Sequence, residues 1–325
     1  MHIIPMNKAT TTITQLALAL VLGSTLFFLS SCKKDEKTAM SAAEKEIIAQ
    51  TEENNETKAE TDQSNTDAFD AVDEVKALSG GRIGDDGSRL CGCTIDSTRR
   101  QEKILTLVYD GVTPCFSPSR YRSGKIEVQL LNQDAWYKRG AILKLTMLDY
   151  KVRRATDNAF ITFNGIKYLK NAKGYSLGIL TGADSLVIAE RAKDIIIKTS
   201  AGTQDLHSIA RRTSLKVALS PTLRTVYRTN GDTTIEGNAN TDSWGTNRRG
   251  QAYVNVFNSP LVSNTNCGTS RPVAGKITHK AGGNQIVLTL GLNEQGAPDT
   301  RNCAFGYRWE WMLATGQSGS SLKSY

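Results

Sequence analysis

Histidine is nearly absent from this chain. There are three in 325 residues, and only His207 and His279 lie beyond the N-terminal apolar stretch. Neither belongs to a His-Glu-x-x-His zinc-protease helix or stands beside a Gly-x-Ser-x-Gly elbow, so those two hydrolytic arrangements have no histidine to run them. His207, within the polar run Gln204 to Ser208, and His279, next to Lys280, read as solvated or structural. Helical periodicity is almost missing after Leu90, which argues against an α-helical domain. Acidic residues are scarce in the same region: positions 90–325 hold 17 against 31 basic, a net +14, whereas positions 33–89 hold 15 against 8, a net −7. The overall +8 therefore hides a division into an acidic leader and a basic body.

That body is rich in strand signals. Ile104 to Tyr109, Lys125 to Leu131, Ala141 to Leu148, Ala159 to Phe163, Asp194 to Thr199, Ser214 to Leu219, Tyr253 to Phe257, Gln285 to Leu290 and Phe305 to Leu313 are short apolar or alternating runs separated by Gly, Asn, Asp and Pro. Lys125, Glu127 and Gln129 alternate with Ile126, Val128 and Leu130, so one face of that strand is wet and the other packed. The fold class predicted is all-β, an antiparallel sandwich or rolled sheet occupying residues 90–325 as one domain.

The N-terminal residues decide where such a domain would live. Lys8 is followed by an uncharged stretch with the apolar run Leu16 to Leu22, then by Leu29-Ser30-Ser31-Cys32, after which the composition turns to Lys33-Lys34-Asp35-Glu36-Lys37. This resembles a bacterial lipoprotein precursor: residues 1–31 are a signal peptide and Cys32 becomes the acylated first residue. Two or more acyl chains make an anchor stable, each buried methylene contributing about 0.8 kcal/mol. From Cys32 to Asn65 the sparse hydrophobicity and dense charge predict a disordered acidic stalk. Over 66–81, Phe69, Val72, Val75 and Leu78 recur every three positions between Thr66 or Asp67 and Gly80-Gly81, which predicts a short amphipathic helix packed on the β domain.

Removing Cys32 leaves five cysteines in two clusters. Export permits disulfides, and the spacing pairs Cys267 with Cys303 and Cys115 with Cys93 or Cys91, leaving one thiol over. Cys91-Gly92-Cys93 lacks the paired spacing and histidines of a zinc site, so neither metal nor cofactor is expected. Tyr307, Trp309 and Trp311 follow Phe305 on one face of a strand; this is a core face or, alternatively, a platform for sugar rings. The pairs Arg99-Arg100, Arg153-Arg154, Arg211-Arg212 and Arg248-Arg249 mark loops and edges. Their alternative is an anionic partner such as an acidic glycan, lipopolysaccharide or the protein's own acidic stalk, while nucleic acid is not expected.

A further resemblance covers roughly Cys91 to Trp311. Cys93-Thr94-Ile95-Asp96, Leu107 to Gly111 followed by Cys115, Arg122-Ser123-Gly124-Lys125-Ile126, Asp149-Tyr150-Lys151-Val152, Ile235 to Asn238, Asn247 to Gly250, Leu261 before Cys267, Val273 to Ile277, and Cys303 occur in an order that resembles uncharacterised exported β-rich lipoproteins of the Bacteroidota. Leu290-Gly291-Leu292 departs from that pattern, and Lys34-Asp35-Glu36 partly matches its surface-export signal. The resemblance implies an envelope location and carries no catalytic residues. The function expected is thus a lipid-anchored outer-membrane lipoprotein, facing the periplasm or the cell surface, with a non-enzymatic binding or structural β domain. The alternative is a carbohydrate-active hydrolase with two facing carboxylates, for which Asp96, Asp110 and Asp149 are the candidates. Tyr307, Trp309, Trp311, Arg248 and Arg249 are the candidate ligand-binding residues.

Overall fold

The computed structural model describes residues 42–75, 90–115, 120–175, 184–218, 224–267, 271–301 and 303–325. The expected signal peptide, Cys32 and the first part of the expected stalk lie outside the described residues. One helix, α1 (Ala42–Glu74), precedes the strands β1 (Cys93–Asp96), β2 (Ile104–Asp110), β3 (Arg120–Leu130), β4 (Ile142–Arg154), β5 (Phe160–Asn171), β6 (Ser185–Thr199) and β7 (Gln204–Ala218). There follow β8 (Arg224–Gly231), β9 (Thr233–Ile235), β10 (Asn238–Thr246), β11 (Ala252–Asn264), β12 (Ala274–Ala281), β13 (Asn284–Leu292), β14 (Gly306–Met312) and β15 (Ser318–Ser324).

All of these strands belong to one antiparallel sheet in which chain neighbours are nearly always sheet neighbours, an arrangement that needs only short connections. The one interruption falls between β7 and β11. There β10 pairs with Leu206 to Ile209 of β7, β8 pairs with Arg211 to Ala218 of the same strand, and both also pair with β11. Thus β8 and β10 share one place in the sheet, and β9 folds back on β10 as a small hairpin. The all-β antiparallel class holds, in its rolled-sheet form.

A line of register shifts bends the sheet. They occur between Ser123 and Lys125 in β3, Met147 and Tyr150 in β4, Asn164 and Lys167 in β5, and Ala192 and Ile195 in β6. Asp149 and Asp194 take up the surplus residues at φ 48° and 52°. Gly124 makes the first bend possible: it lies at φ +88°, and a Cβ on it would stand 2.1 Å from the Asp149 carbonyl oxygen. Bulges in register from strand to strand crease a sheet along one line, so it closes around whatever lies on its inner face.

What lies there is α1. At 33 residues and about 1.5 Å per residue it is about 50 Å long. It replaces the short helix expected over 66–81 and takes up the residues from Ala42 to Asn65 that were expected to belong to a disordered stalk. The expectation fails because it looked for an apolar stripe. No proline or glycine interrupts Ala42 to Val75, and the buried stripe Gln50, Thr57, Thr61, Ser64, Ala68 and Ala71 has helical spacing but is polar over most of its length. The end of the expected short helix, beyond Val75, lies outside the described residues.

The interior has two characters. Toward β2–β7 it is apolar, with Leu105, Leu107, Ile126, Val128, Leu143, Leu145, Phe163 and Ile195 packed against Ala68, Ala71 and Val72 of the helix. Toward β12–β14 a smaller cluster of Leu288, Leu290 and Trp309 meets Ile48 at the other end of α1. Two disulfides fasten the chain. Cys267 pairs with Cys303 as predicted, and Cys115 pairs with Cys91, leaving Cys93 as the free thiol. Of the two partners left open for Cys115, the structure selects Cys91 and not Cys93. Burial pushes the Cys93 thiol up to about 12.

Candidate functional site: the space between helix and sheet

The acidic helix lies in a basic trough. Of its 33 residues 11 are acidic and 2 basic, and the strands meet them in order. Glu46 and Glu53 bind Arg249, and Glu53 also binds Arg248. Glu56 faces Arg154, Glu60 pairs with Arg120, Asp62 with Arg211, and Asp67 with Arg122. Three arginine pairs that were expected to mark loops and edges, Arg153-Arg154, Arg211-Arg212 and Arg248-Arg249, thus each contribute at least one side chain to an anionic partner within the same chain.

Three of these groups are fully enclosed. Arg122 is 1 % exposed; it is ion-paired to Asp67, lies 4.8 Å over the Tyr109 ring and donates to the Cys91 carbonyl at 2.9 Å. Tyr109 Oη in turn donates to Asp67 at 2.6 Å. Arg211 donates from Nε to Glu190 at 2.7 Å, pairs with Asp62 and lies 3.8 Å from Asp242. Lys167 donates to the Thr61 carbonyl at 2.7 Å and to Ser64 Oγ at 2.6 Å, with Glu190 at 3.6 Å. Burial lowers the Lys167 ammonium to about 8, although Glu190 opposes it. For Glu190, burial raises the carboxyl, but Arg211 and Lys167 outweigh it and hold it at about 2.

The helix does not fill the trough. A cavity of ≈1660 Å³ runs beside it, bounded by the helix residues from Ala49 to Asp70 and by residues of β3 to β8 and β11 to β15. Its apolar floor at the far end is Leu261, Ile277, Leu288, Leu290 and Tyr307, with Tyr325 beside them. The helix turns its polar side, Glu52, Glu53 and Glu56, toward this space. Arg271 stands exposed at that end, 6.0 Å from the Tyr325 ring, and forms no ion pair among the described residues.

The candidate residues fall unevenly around the cavity. Tyr307, Arg248 and Arg249 line it. Trp309 is buried behind Tyr307, their rings 6.1 Å apart, and so belongs to the core face rather than to an open platform. Trp311 packs away from the cavity on Ile286 and Leu313. Asp96, Asp110 and Asp149 do not line it. Asp96 accepts the Thr98 N–H at 2.9 Å, Asp110 accepts those of Val112 and Thr113, and Asp149 accepts from Asn164 at 2.9 Å, so all three serve turns and bulges. His207 and His279 are buried rather than solvated. His207 Nδ1 shares a hydrogen bond with Tyr253 Oη, and His279 Nδ1 donates to Asn255 at 2.7 Å. Burial lowers them to about 3 and about 4, which keeps both neutral.

Arg211 was named from sequence only as one of the arginine pairs, and Glu60, Asp62, Lys167 and Glu190 were not singled out. The polar stripe of α1 at helical spacing is the signal that would have found their partner. A Gly-x-Ser-x-Gly spacing, Gly174 to Gly178, was also passed over. Such an elbow joins a strand to a helix, whereas the next described element after β5 is β6, and Ser176 lies outside the described residues. Two acids beside the helix are raised by burial, Glu60 against the pull of Arg120 and Asp205 next to Arg248. Burial raises Asp205 to about 6 against the pull of Arg248, from which it is separated by 3.3 Å.

No protein-family model, curated protein or solved structure matches this chain.

Proposed function

We propose that this chain is a lipid-anchored cell-envelope protein whose β domain binds an elongated ligand and performs no chemistry on it. The observation that carries the reading is the ≈1660 Å³ cavity between α1 and the sheet. It exceeds the 300–1,000 Å³ or so of small-molecule pockets. Most carboxylates on its wall are engaged: Glu53, Glu56, Asp62 and Glu190 each pair with an arginine, and Glu60 pairs with Arg120 although burial raises it, while Glu52 forms no ion pair among the described residues. A carboxylate held by a guanidinium is a poor general acid or base, so the paired-carboxylate hydrolase is the weaker reading.

The anchor reading rests on the Leu29 to Cys32 pattern and the outer-membrane location on the resemblance. Metabolic labelling with an alkynyl fatty acid tests the first: the wild-type chain takes up label and the Cys32→Ser chain does not. Protease shaving of intact cells tests the second, with loss of the 90–325 domain placing it outside and survival until permeabilisation placing it in the periplasm. Binding is tested by retention of the purified chain on acidic glycan, lipopolysaccharide and phospholipid at low and high salt. No retention on any of them would remove the binding function and leave a structural role.

A further inference from the structure

We infer that the β11–β15 end of the cavity holds the acyl chain of an anionic amphiphile, the head group meeting Arg271. The inference rests on the binding reading above and names its ligand class. Three observations converge. The floor is aliphatic and aromatic: Leu261, Ile277, Leu288, Leu290 and Tyr307. Of these, Leu261, Ile277 and Tyr307 remain only partly covered although they line the inner side of the sheet; among the described side chains of α1, Ile48 is the apolar one packed on that cluster. The opposite wall is the polar side of α1, with Glu52, Glu53 and Glu56. A space apolar on one side cannot be filled favourably by water alone, since each methylene placed there gains the transfer free energy of its removal from solvent.

The charges decide the head group. Arg248 and Arg249 are already occupied by Glu46, Glu53 and Asp205. Arg271 is exposed, lies over the Tyr325 ring and carries no ion pair among the described residues. It is therefore the cation at this end that a carboxylate or phosphate can reach, while the chain behind the head extends over Tyr307 toward Leu288. An oligosaccharide fits this end less well. Its hydroxyls would face the aliphatic floor without partners, and an unpaired buried hydroxyl is costly.

Trp309 supplies the readout, because it sits in the same cluster as Leu288 and Leu290. The full chain carrying Cys32→Ser, which removes the anchor, is titrated with 9,10-dibromostearate, whose bromines quench indole fluorescence at contact, and with plain stearate as control. The expected result is saturable quenching by the brominated acid alone, largely abolished by Trp309→Phe. Arg271→Glu, at an exposed position where folding is not at stake, is expected to weaken stearate binding about fivefold and to leave stearyl alcohol unaffected.

Vesicles of brominated phosphatidylglycerol separate the two sources of such a ligand. Quenching by vesicles and not by the free acid assigns the site to a membrane lipid, and the reverse assigns it to a fatty acid. If neither quenches while an acidic oligosaccharide binds, the acyl assignment is overturned and the binding domain stands. If nothing binds, both fall.

Discussion

Replacing Arg211 by Met removes one cation from three carboxylates at once. Arg211 is 3 % exposed, and two of its partners, Glu190 and Asp242, are each 5 % exposed. After the change Glu190 keeps Lys167 at 3.6 Å and the Asn65 amide at 3.0 Å, but Asp242 retains only the Ser243 hydroxyl at 3.2 Å. Removing one partner of a buried pair costs about 3–5 kcal/mol, because the charge left behind is desolvated without compensation. For a domain of this size that is about 6–20 °C in melting temperature, read by circular dichroism at pH 7.5. The pH dependence adds a second signature. In the wild type Glu190 is held below its ordinary value, so its contribution is present above about pH 4.5 and lost as pH falls toward about 2. Without Arg211, burial dominates and the carboxyl moves up, so the deficit of the variant narrows on acidification. Removing Glu190 as well, in Arg211→Met/Glu190→Met, should recover about 1–3 kcal/mol relative to additivity. An Arg211→Met protein melting within about 2 °C of wild type, or strict additivity in the double variant, would refute the reasoning.

The buried histidines make the fold acid-labile. His207 and His279 sit below their ordinary 6.5, so each costs stability by up to about 1.4 kcal/mol per pH unit as pH falls from 6.5 toward about 3 and about 4. Asp205, raised to about 6, opposes them between about pH 6 and 3.8. The net expectation is a falling urea midpoint between pH 7 and 5 and a shallower fall in His207→Gln; identical slopes would sink it. In a Cys32→Ser background, Ellman's reagent should find one thiol per chain under non-reducing denaturation and react only slowly in the native state, where Cys93 is held at about 12. Two or more thiols would exclude one of the disulfides, each contributing roughly 3–4 kcal/mol in the chain-entropy treatment. Gly124→Val should destabilise by more than about 2 kcal/mol in urea, since its Cβ would meet the Asp149 carbonyl; a neutral effect would mean that the bulge relaxes freely.

Legibility from sequence followed the apolar pattern. β2, β3 and β4 stand close to where alternation places them because their inner faces meet the apolar half of the interior, and β13 does so because Ile286, Leu288 and Leu290 form the smaller clusters at the other end. β10, β12 and β15 were missed for the converse reason. β10 turns Thr241 and Ser243 inward, β12 turns His279 inward, and β15 is a serine-rich edge, so no hydrophobic period marks them. The same rule hid α1. A helix buried by ion pairs and hydrogen bonds has the composition of a disordered segment, and only its uninterrupted spacing from Gln50 to Ala71 distinguishes it. The cysteine clusters were readable, but the choice between Cys91 and Cys93 depends on which side of β1 faces Cys115. Of the site, Tyr307, Arg248 and Arg249 could be picked out from sequence, whereas the cavity they line exists only once both sides of the sheet have curled toward α1.

The position of α1 also orders the assembly of the molecule in time. The helix precedes every strand in the chain, yet Ile48 packs on Leu288 and Leu290, and Gln50 bonds Gln251 at 3.3 Å across a separation of 201 residues. A chain that emerges N-terminus first therefore presents a charged helix with no surface to lie on until β2–β7 have paired, and the half near Ile48 waits for β12–β14. Contacts of such separation are slow to form, because loop closure must precede any gain from them. The last strands to be made thus secure the first of the described elements, and a chain truncated before β12 would have an uncovered helix end and an unfinished trough.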